Sequence, residues 1–555
     1  MARLDRLGTA KSIAQLAATI GRQFSYELLQ AVSPVDETTL QRELGRLVEA
    51  ELVYQRGLLP QASYTFKHAL IQDTAYQSLL RSTRQQYHQR IAQVLEGQFS
   101  DTAQTQPELL AYHYTAAELV EPAVKYWQRA GQQAIERAAY AEAITHLEKG
   151  LALLTALPEA IERHQRELTL RIMLGPVLMT LKGFAAPEVE QTYTRAHELC
   201  QQLNLDDSPQ RLRVLYGLRR IYTHHGVLYK AQELSEQSLA LAQRLDDFSM
   251  LLDAHYSLGV TLLGRGEFAL GQSHLEQADR MAQRQASERS AVAFGRRGDD
   301  QGLTSLTLTT WSLWARGYPT QACQRSQDAL TSAQKHTHPF TISFVFCQSA
   351  FLLQYRREVN ATLERAETSL AFSTENGFLQ LLAWGTILRG WALVMQGKRE
   401  EGMTLMQQGL ASALAAGSVA WRPYFLGLYA EVHGSVGQIE EGLRLMAEAL
   451  ALAEKTGEHF HIAELYRLKG ELQLQQTSSE EAEAESCFHQ ALSIARRQQA
   501  KSWELRSATS LTRLWQSQGK RQEAHDLLAP VYEWFTEGFD TADLKEAQAL
   551  ITILS

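Results

Sequence analysis

The chain has 555 residues, 45% hydrophobic and 21% charged, with 34 glycines but only 12 prolines. At roughly 100–200 residues per domain this length calls for several domains or one extended array. The 54 basic and 62 acidic side chains leave a net charge of -8, which argues against both a strongly basic nucleic-acid binder and an acidic disordered chain. Cys200, Cys323, Cys347 and Cys487 lie far apart, so neither a disulfide framework nor a zinc ribbon is expected and a reducing compartment is implied. The opening residues, Met1-Ala-Arg-Leu-Asp-Arg-Leu, carry charges where a signal peptide needs an apolar run. No window approaches the roughly 18 apolar residues of a membrane span. The expectation is a cytoplasmic protein with no membrane partner.

Low proline, abundant Ala, Leu, Gln and Glu and few β-branched runs predict helix nearly throughout. In chain order, helical segments are expected around 10–20, 26–32 and 38–50. Leu52-Val-Tyr-Gln-Arg56 and Ser63-Tyr-Thr-Phe-Lys67 flank Gly57-Leu-Leu-Pro60 and read as a small hairpin. A helix over 69–95 follows. Helices followed by a two-stranded wing predict a small winged-helix domain over residues 1–100.

Residues 101–555 carry an internal repeat. A small residue stands five positions after a glycine at Gly226/Ala231, Gly266/Gly271, Gly317/Ala322, Gly397/Gly402, Gly437/Gly442 and Gly519/Ala524. Further positions four and three residues on add Ser235 and Ser238, Leu275 and Ala278, or Met446 and Ala449. Residues at i, i+4 and i+7 share one helix face, so the pattern describes a helix, a glycine-marked turn and a second helix crossed closely by the first. It matches the tetratricopeptide pattern, which Ala111, Tyr114, Ala123, Trp127 and Ala130 fit best. The expected architecture is all-α: about ten helical hairpins stacked into a tetratricopeptide-like solenoid, a right-handed superhelix.

Three stretches near the N-terminus resemble one known group: Ile20-Gly-Arg-Gln-Phe-Ser-Tyr26, Tyr54-Gln-Arg-Gly57 and Tyr64-Thr-Phe-Lys-His-Ala-Leu-Ile-Gln-Asp-Thr-Ala-Tyr76. The likeness continues through Tyr112-His-Tyr114, Trp384-Gly-Thr-Ile-Leu-Arg-Gly-Trp391, Ala463-Glu-Leu-Tyr-Arg-Leu-Lys-Gly-Glu471 and Trp534-Phe-Thr-Glu-Gly-Phe-Asp-Thr-Ala-Asp-Leu544. The group comprises bacterial signalling proteins that join a class III adenylate/guanylate cyclase, an AAA/STAND-type ATPase and a tetratricopeptide tail. The chain resembles the C-terminal part of such a protein. No G-x-x-x-x-G-K-[ST] P-loop occurs in it, and Gly397-Lys398 and Gly519-Lys520 are each followed by Arg. The resemblance therefore implies a chain that is not itself an enzyme and holds no cofactor. Its ATPase or cyclase would be on another chain, or upstream if the chain is a fragment.

By the same resemblance His68, just after the hairpin, would report nucleotide state; the plain alternative is a helix-start histidine bonded to backbone. DNA reading by residues 38–51 is disfavoured, because Arg42 and Arg46 face Glu43, Glu49 and Glu51. Gly295-Arg-Arg-Gly-Asp-Asp-Gln-Gly302 interrupts the repeats as an anion-contacting loop or, more simply, a solvated linker. The His336/His338 and His459/His461 pairs lack further ligands at metal spacing. The better site is the concave face. Laying the repeat register on first helices puts Arg213, Arg220, Trp311, Trp314, Trp384, Trp391, Tyr424, Glu464 and Arg467 there, as anchors for a protein or peptide ligand. The competing reading packs these tryptophans between helices as core. The expected function is a non-catalytic interaction and sensor scaffold that regulates an ATPase or cyclase output, with a winged-helix transcription regulator as the remaining alternative.

Overall fold

The computed structural model describes residues 8–288, 301–335, 338–476 and 481–555. The interrupting loop around Arg296 and Arg297, and His336, lie outside these residues. Two compact units are present, Met1–Leu170 and Arg171–Ser555.

The first unit opens with α1 (Thr9–Ile20), β1 (Gln23–Ser25), α2 (Tyr26–Val32), α3 (Glu37–Glu49), β2 (Val53–Arg56) and β3 (Ser63–Phe66). Ser25 caps α2 by accepting the Leu28 N–H at 3.2 Å, and Asp36 caps α3 by accepting that of Thr39 at 3.0 Å. The strands form an antiparallel sheet in the order β1-β3-β2, with Gln23 opposite Thr65 and Val53 opposite Phe66. β2 and β3 are the two runs expected from the sequence; β1, which was not expected, has three residues, too few to show a period. Then follow α4 (Ala69–Gln77), α5 (Arg81–Gln98), α6 (Ser100–Thr105), α7 (Pro107–Ala116), α8 (Val120–Glu136) and α9 (Tyr140–Leu154).

The single helix expected over 69–95 is thus broken between α4 and α5. Leu80 is extended (φ -63°, ψ 149°), and Ser78 turns its hydroxyl to the Ala75 carbonyl while accepting from Gln15 of α1 at 2.8 Å. One core runs from Ala10 through Phe24, Leu44, Phe66, Ile91 and Leu110 to Ala130. It passes straight across residue 100, so the compact units differ from the two sequence-defined regions.

Helix α10 (Ile161–Lys182) spans the junction, and the second unit continues as sequential hairpins. Their members are α11 (Pro187–Gln202), α12 (Pro209–His224), α13 (Leu228–Leu245), α14 (Phe248–Gly264), α15 (Phe268–Glu288), α16 (Gln301–Ala315), α17 (Pro319–Ala333), α18 (Pro339–Tyr355) and α19 (Val359–Asn376). After them come α20 (Leu379–Met395), α21 (Arg399–Ala415), α22 (Arg422–Ser435), α23 (Ile439–Thr456), α24 (Ile462–Gln476), α25 (Glu481–Arg497), α26 (Lys501–Ser517), α27 (Arg521–Glu533) and α28 (Ala542–Leu554). From α11 on, each helix packs on its sequence neighbour, and the even-numbered helices from α12 to α28 also pack on one another in succession, the pattern of a stacked repeat array. The small residues sit at the crossings. A Cβ on Gly402 of α21 would stand 2.6 Å from Val394 Cγ2 and 2.8 Å from the Val394 nitrogen of α20.

Candidate functional site

The even-numbered helices α12 to α26 are the first helices of their hairpins, and several turn one face inward. The second unit also makes contacts over long sequence separations there. Val419 N–H donates to the His224 carbonyl at 2.8 Å, and His459 N–H to that of Gly264 at 2.8 Å. Ser502 Oγ donates to the Trp314 carbonyl at 2.5 Å. The Glu537 carboxylate accepts the N–H groups of Thr320 and Gln321 at 2.9 and 3.1 Å. Turns in the first half of the unit are thus tied to connections in the second half.

The inner-face aromatic side chains meet under these ties. Trp311 lies 4.8 Å from Phe351 and 5.2 Å from Trp421 between ring centroids. Trp314 lies 4.6 Å edge-on to Trp503. Tyr424 stacks on His461 at 4.2 Å, and its hydroxyl donates to Gln354 at 2.7 Å. His461 Nε2 and the Tyr355 hydroxyl share a hydrogen bond of 3.0 Å. Trp311, Trp314, Trp384, Trp391 and Tyr424 are all at most 4% exposed. These five positions therefore do not line an open groove. They pack as core, and side chains remote in sequence cover Trp311, Trp314 and Trp384, namely Trp421, Trp503 and His224.

Charge is buried beside the rings. Arg467 pairs bidentately with Glu464 at 2.8 and 2.9 Å and reaches Glu471 at 3.2 Å and Ser510 at 3.3 Å. Arg506 donates to Glu464 at 3.1 Å, to Asp543 at 2.9 Å and to the Tyr355 carbonyl, and its guanidinium lies over Trp314 and Trp503. Burial alone would raise the Glu464 carboxyl, but Arg467 and Arg506 hold it down at about 2. Glu431 is pushed up by burial, against Arg467 and Trp391. A second buried acid, Glu458, is pushed up to about 8 by burial although it accepts the Trp421 N–H at 2.8 Å. A carboxyl shifted that far is largely protonated at neutral pH and can donate a hydrogen bond.

Of the remaining positions, Arg213 is exposed and Arg220 half-buried, its guanidinium 4.9 Å from the Phe184 ring and 5.1 Å from that of Tyr216. His68 is exposed and precedes α4 without a side-chain cap bond. Arg42 and Arg46 of α3 both pair with the buried Glu43, at 3.1 and 2.9 Å. Among the described residues no cluster of three His, Cys, Asp or Glu side chains has metal-holding geometry. Tyr355, His461, Trp503 and Arg506 complete the inner cluster and were not singled out as face residues. A signal existed for Arg506: like Trp384 and Arg467, it stands five residues after the first residue of its helix.

No family model matches the chain. An uncharacterized protein of Rhizobium meliloti (strain 1021) is 26% identical over 517 residues, which make up 92% of this chain and 48% of that protein. The chain thus spans about half the length of the curated relative it matches. A crystal structure of a Rap protein complexed with Competence and Sporulation Factor matches 68% of this chain and 98% of its own, with a TM-score of 0.51 at 13% identity. The chain is a helical repeat array of tetratricopeptide type. A Signal Transduction ATPase with Numerous Domains (STAND) protein with a tetratricopeptide repeat sensor, from Pyrococcus horikoshii, covers 98% of this chain and 65% of its own, at a TM-score of 0.27 and 11% identity. No helix among the described residues is long and apolar enough to cross a membrane.

Proposed function

We propose that the array is a non-catalytic protein-interaction and sensor scaffold that regulates an ATPase or nucleotide cyclase in bacterial signalling. The observation that carries this reading is the repeat architecture, whose fold is shared with a Rap protein complexed with Competence and Sporulation Factor. The curated relative extends well beyond the matched region, which leaves room for an output module in the same polypeptide. On this reading residues 1–100 are a winged helix that couples the array to the output, and His68 faces the nucleotide. Arg213 and Arg220 are the inner-face positions a partner reaches directly. The buried tryptophans, with Glu464 and Arg467, hold the closed array together.

The test is biochemical. The unmatched region of the Rhizobium relative is expressed separately and assayed for ATP and GTP turnover, alone and with this chain. The expected result is a stable complex and a changed rate, with no turnover by this chain alone. Turnover that survives repurification of this chain, and is lost on a point change within it, sinks the proposal.

A further inference from the structure

The turn between α14 and α15 forms one wall of an open cleft of about 360 Å³. His459, in the α23–α24 connection, and residues 497–499, at the end of α25, form the others. Three distant segments are fixed to one another here. The His459 N–H donates to the Gly264 carbonyl at 2.8 Å, and Gln498 Nε2 donates to the His459 carbonyl at 2.8 Å. The volume lies at the small end of ligand pockets, roughly 300–1,000 Å³, enough for one side chain and its neighbours.

The lining is cationic. Arg265 and Arg497 both reach the field of His459, whose imidazole burial holds below its usual range; Glu454 opposes and the two guanidiniums add to the effect. Among the described lining residues Glu267 is the only acid, and it is engaged with Arg265 at 3.6 Å. Arg497 is exposed and pairs with no carboxylate among the described residues. Helix α15 also begins on this wall, with no acidic residue in its first turn. Its N–H to C=O ladder starts only at Gly271, which donates to Glu267 at 2.9 Å. Beside these groups Leu270 is 56% exposed and offers an apolar contact. Among the lining side chains two guanidiniums stand against one carboxylate, Glu267, on a hydrogen-bonded frame, and Arg497 is the guanidinium with no ion-pair partner among the described residues.

We propose that this cleft receives a carboxylate side chain of an acidic peptide segment, with Arg497 as its ion-pair partner, Arg265 shared with Glu267, and a neighbouring apolar residue against Leu270. The assignment rests on the reading of the array as a protein-interaction scaffold and adds the chemistry of what it binds.

The experiment uses the full chain and fluorescence anisotropy with a fluorescein-labelled Glu/Leu peptide, its Gln/Leu counterpart, and inorganic phosphate as competitor. The expected result is salt-sensitive binding of the Glu/Leu peptide. Binding falls at least about tenfold in both Arg497→Gln and Arg265→Gln, and is unchanged in Arg399→Gln, an exposed arginine outside the cleft. Circular dichroism and thermal midpoints confirm that all variants are folded. If the peptide binds both cleft variants as it binds the parent, it docks elsewhere; the scaffold reading then survives and the cleft assignment falls. Equal binding of the Gln/Leu peptide also overturns the assignment, as does a cleft that takes phosphate but no peptide. If no acidic peptide binds at all the assignment is likewise overturned, while the scaffold reading is still judged by its own complex and turnover assay.

Discussion

Gly317 and Gly397 occupy the same turn in two hairpins, which makes them a matched pair. Their φ values are +94° and +90°. The Gly317 N–H donates to Trp314 at 3.0 Å, and that of Gly397 to Val394 at 2.9 Å. Their surroundings differ. A Cβ on Gly397 meets nothing within 4 Å, whereas one on Gly317 would stand 2.6 Å from Trp534 Cζ3, 2.8 Å from Lys501 Cβ and 3.1 Å from Phe535 Cε1. Replacing either by Ala places a Cβ in left-handed backbone, at a cost of roughly 1–2 kcal/mol. At Gly317 the new methyl also collides with Lys501 Cβ, an atom tied to the backbone, which adds about 1–3 kcal/mol of overpacking. The difference between the variants isolates the long-range closure from the local turn. Hydrogen exchange by mass spectrometry on the full chain is the assay, because a repeat array need not unfold in one step. Gly317→Ala is expected to speed exchange in 498–506 and 534–541 while Gly397→Ala leaves both segments unchanged. Equal effects of the two substitutions, or slow exchange of 534–541 in Gly317→Ala, would refute the argument that these contacts hold the inner face closed.

Glu537→Gln removes the charge that caps α17 through Thr320 and Gln321 and should cost about 1 kcal/mol, read as faster exchange at 319–322. Trp391→Ala empties a site that is 3% exposed and should cost about 3–5 kcal/mol; an unchanged thermal midpoint would contradict the core assignment. Glu464→Gln leaves Arg467 and Arg506 short of their shared counter-charge and should cost about 3 kcal/mol, seen as a lower urea midpoint for the second unit. In the first unit His88 and His113 share an Nδ1–Nδ1 hydrogen bond of 2.8 Å and are held down to about 4 and about 3, chiefly by burial. The unfolded chain binds the extra protons below its pKa of about 6.5, so the stability of this unit should fall as pH drops from about 6.5 toward 4 and level off near 3. Urea titrations across that range check the sign, and His113→Gln should flatten the slope.

Periodicity made the hairpins legible. A glycine followed by a small residue five positions on requires a turn and a close crossing, both local properties, and Gly402 against Val394 shows the crossing as read. The β2–β3 pairing was visible for a similar reason, since its two β-rich runs are adjacent in sequence. What the sequence could not show is which inner face meets which. Trp384 and Trp391 share a helix face by spacing alone, yet an exposed groove and a buried core give that face the same residues. Closure by contacts such as Ser502 to Trp314, 188 residues apart, decided between them. The Glu464–Arg467 pair was readable at i,i+3, but Arg506 and Asp543, which complete the buried network, come from α26 and α28. Only the stacking of successive hairpins, α26 on α24 and α28 on α26, assembles that network, because no residue within one hairpin records what packs on it from the next.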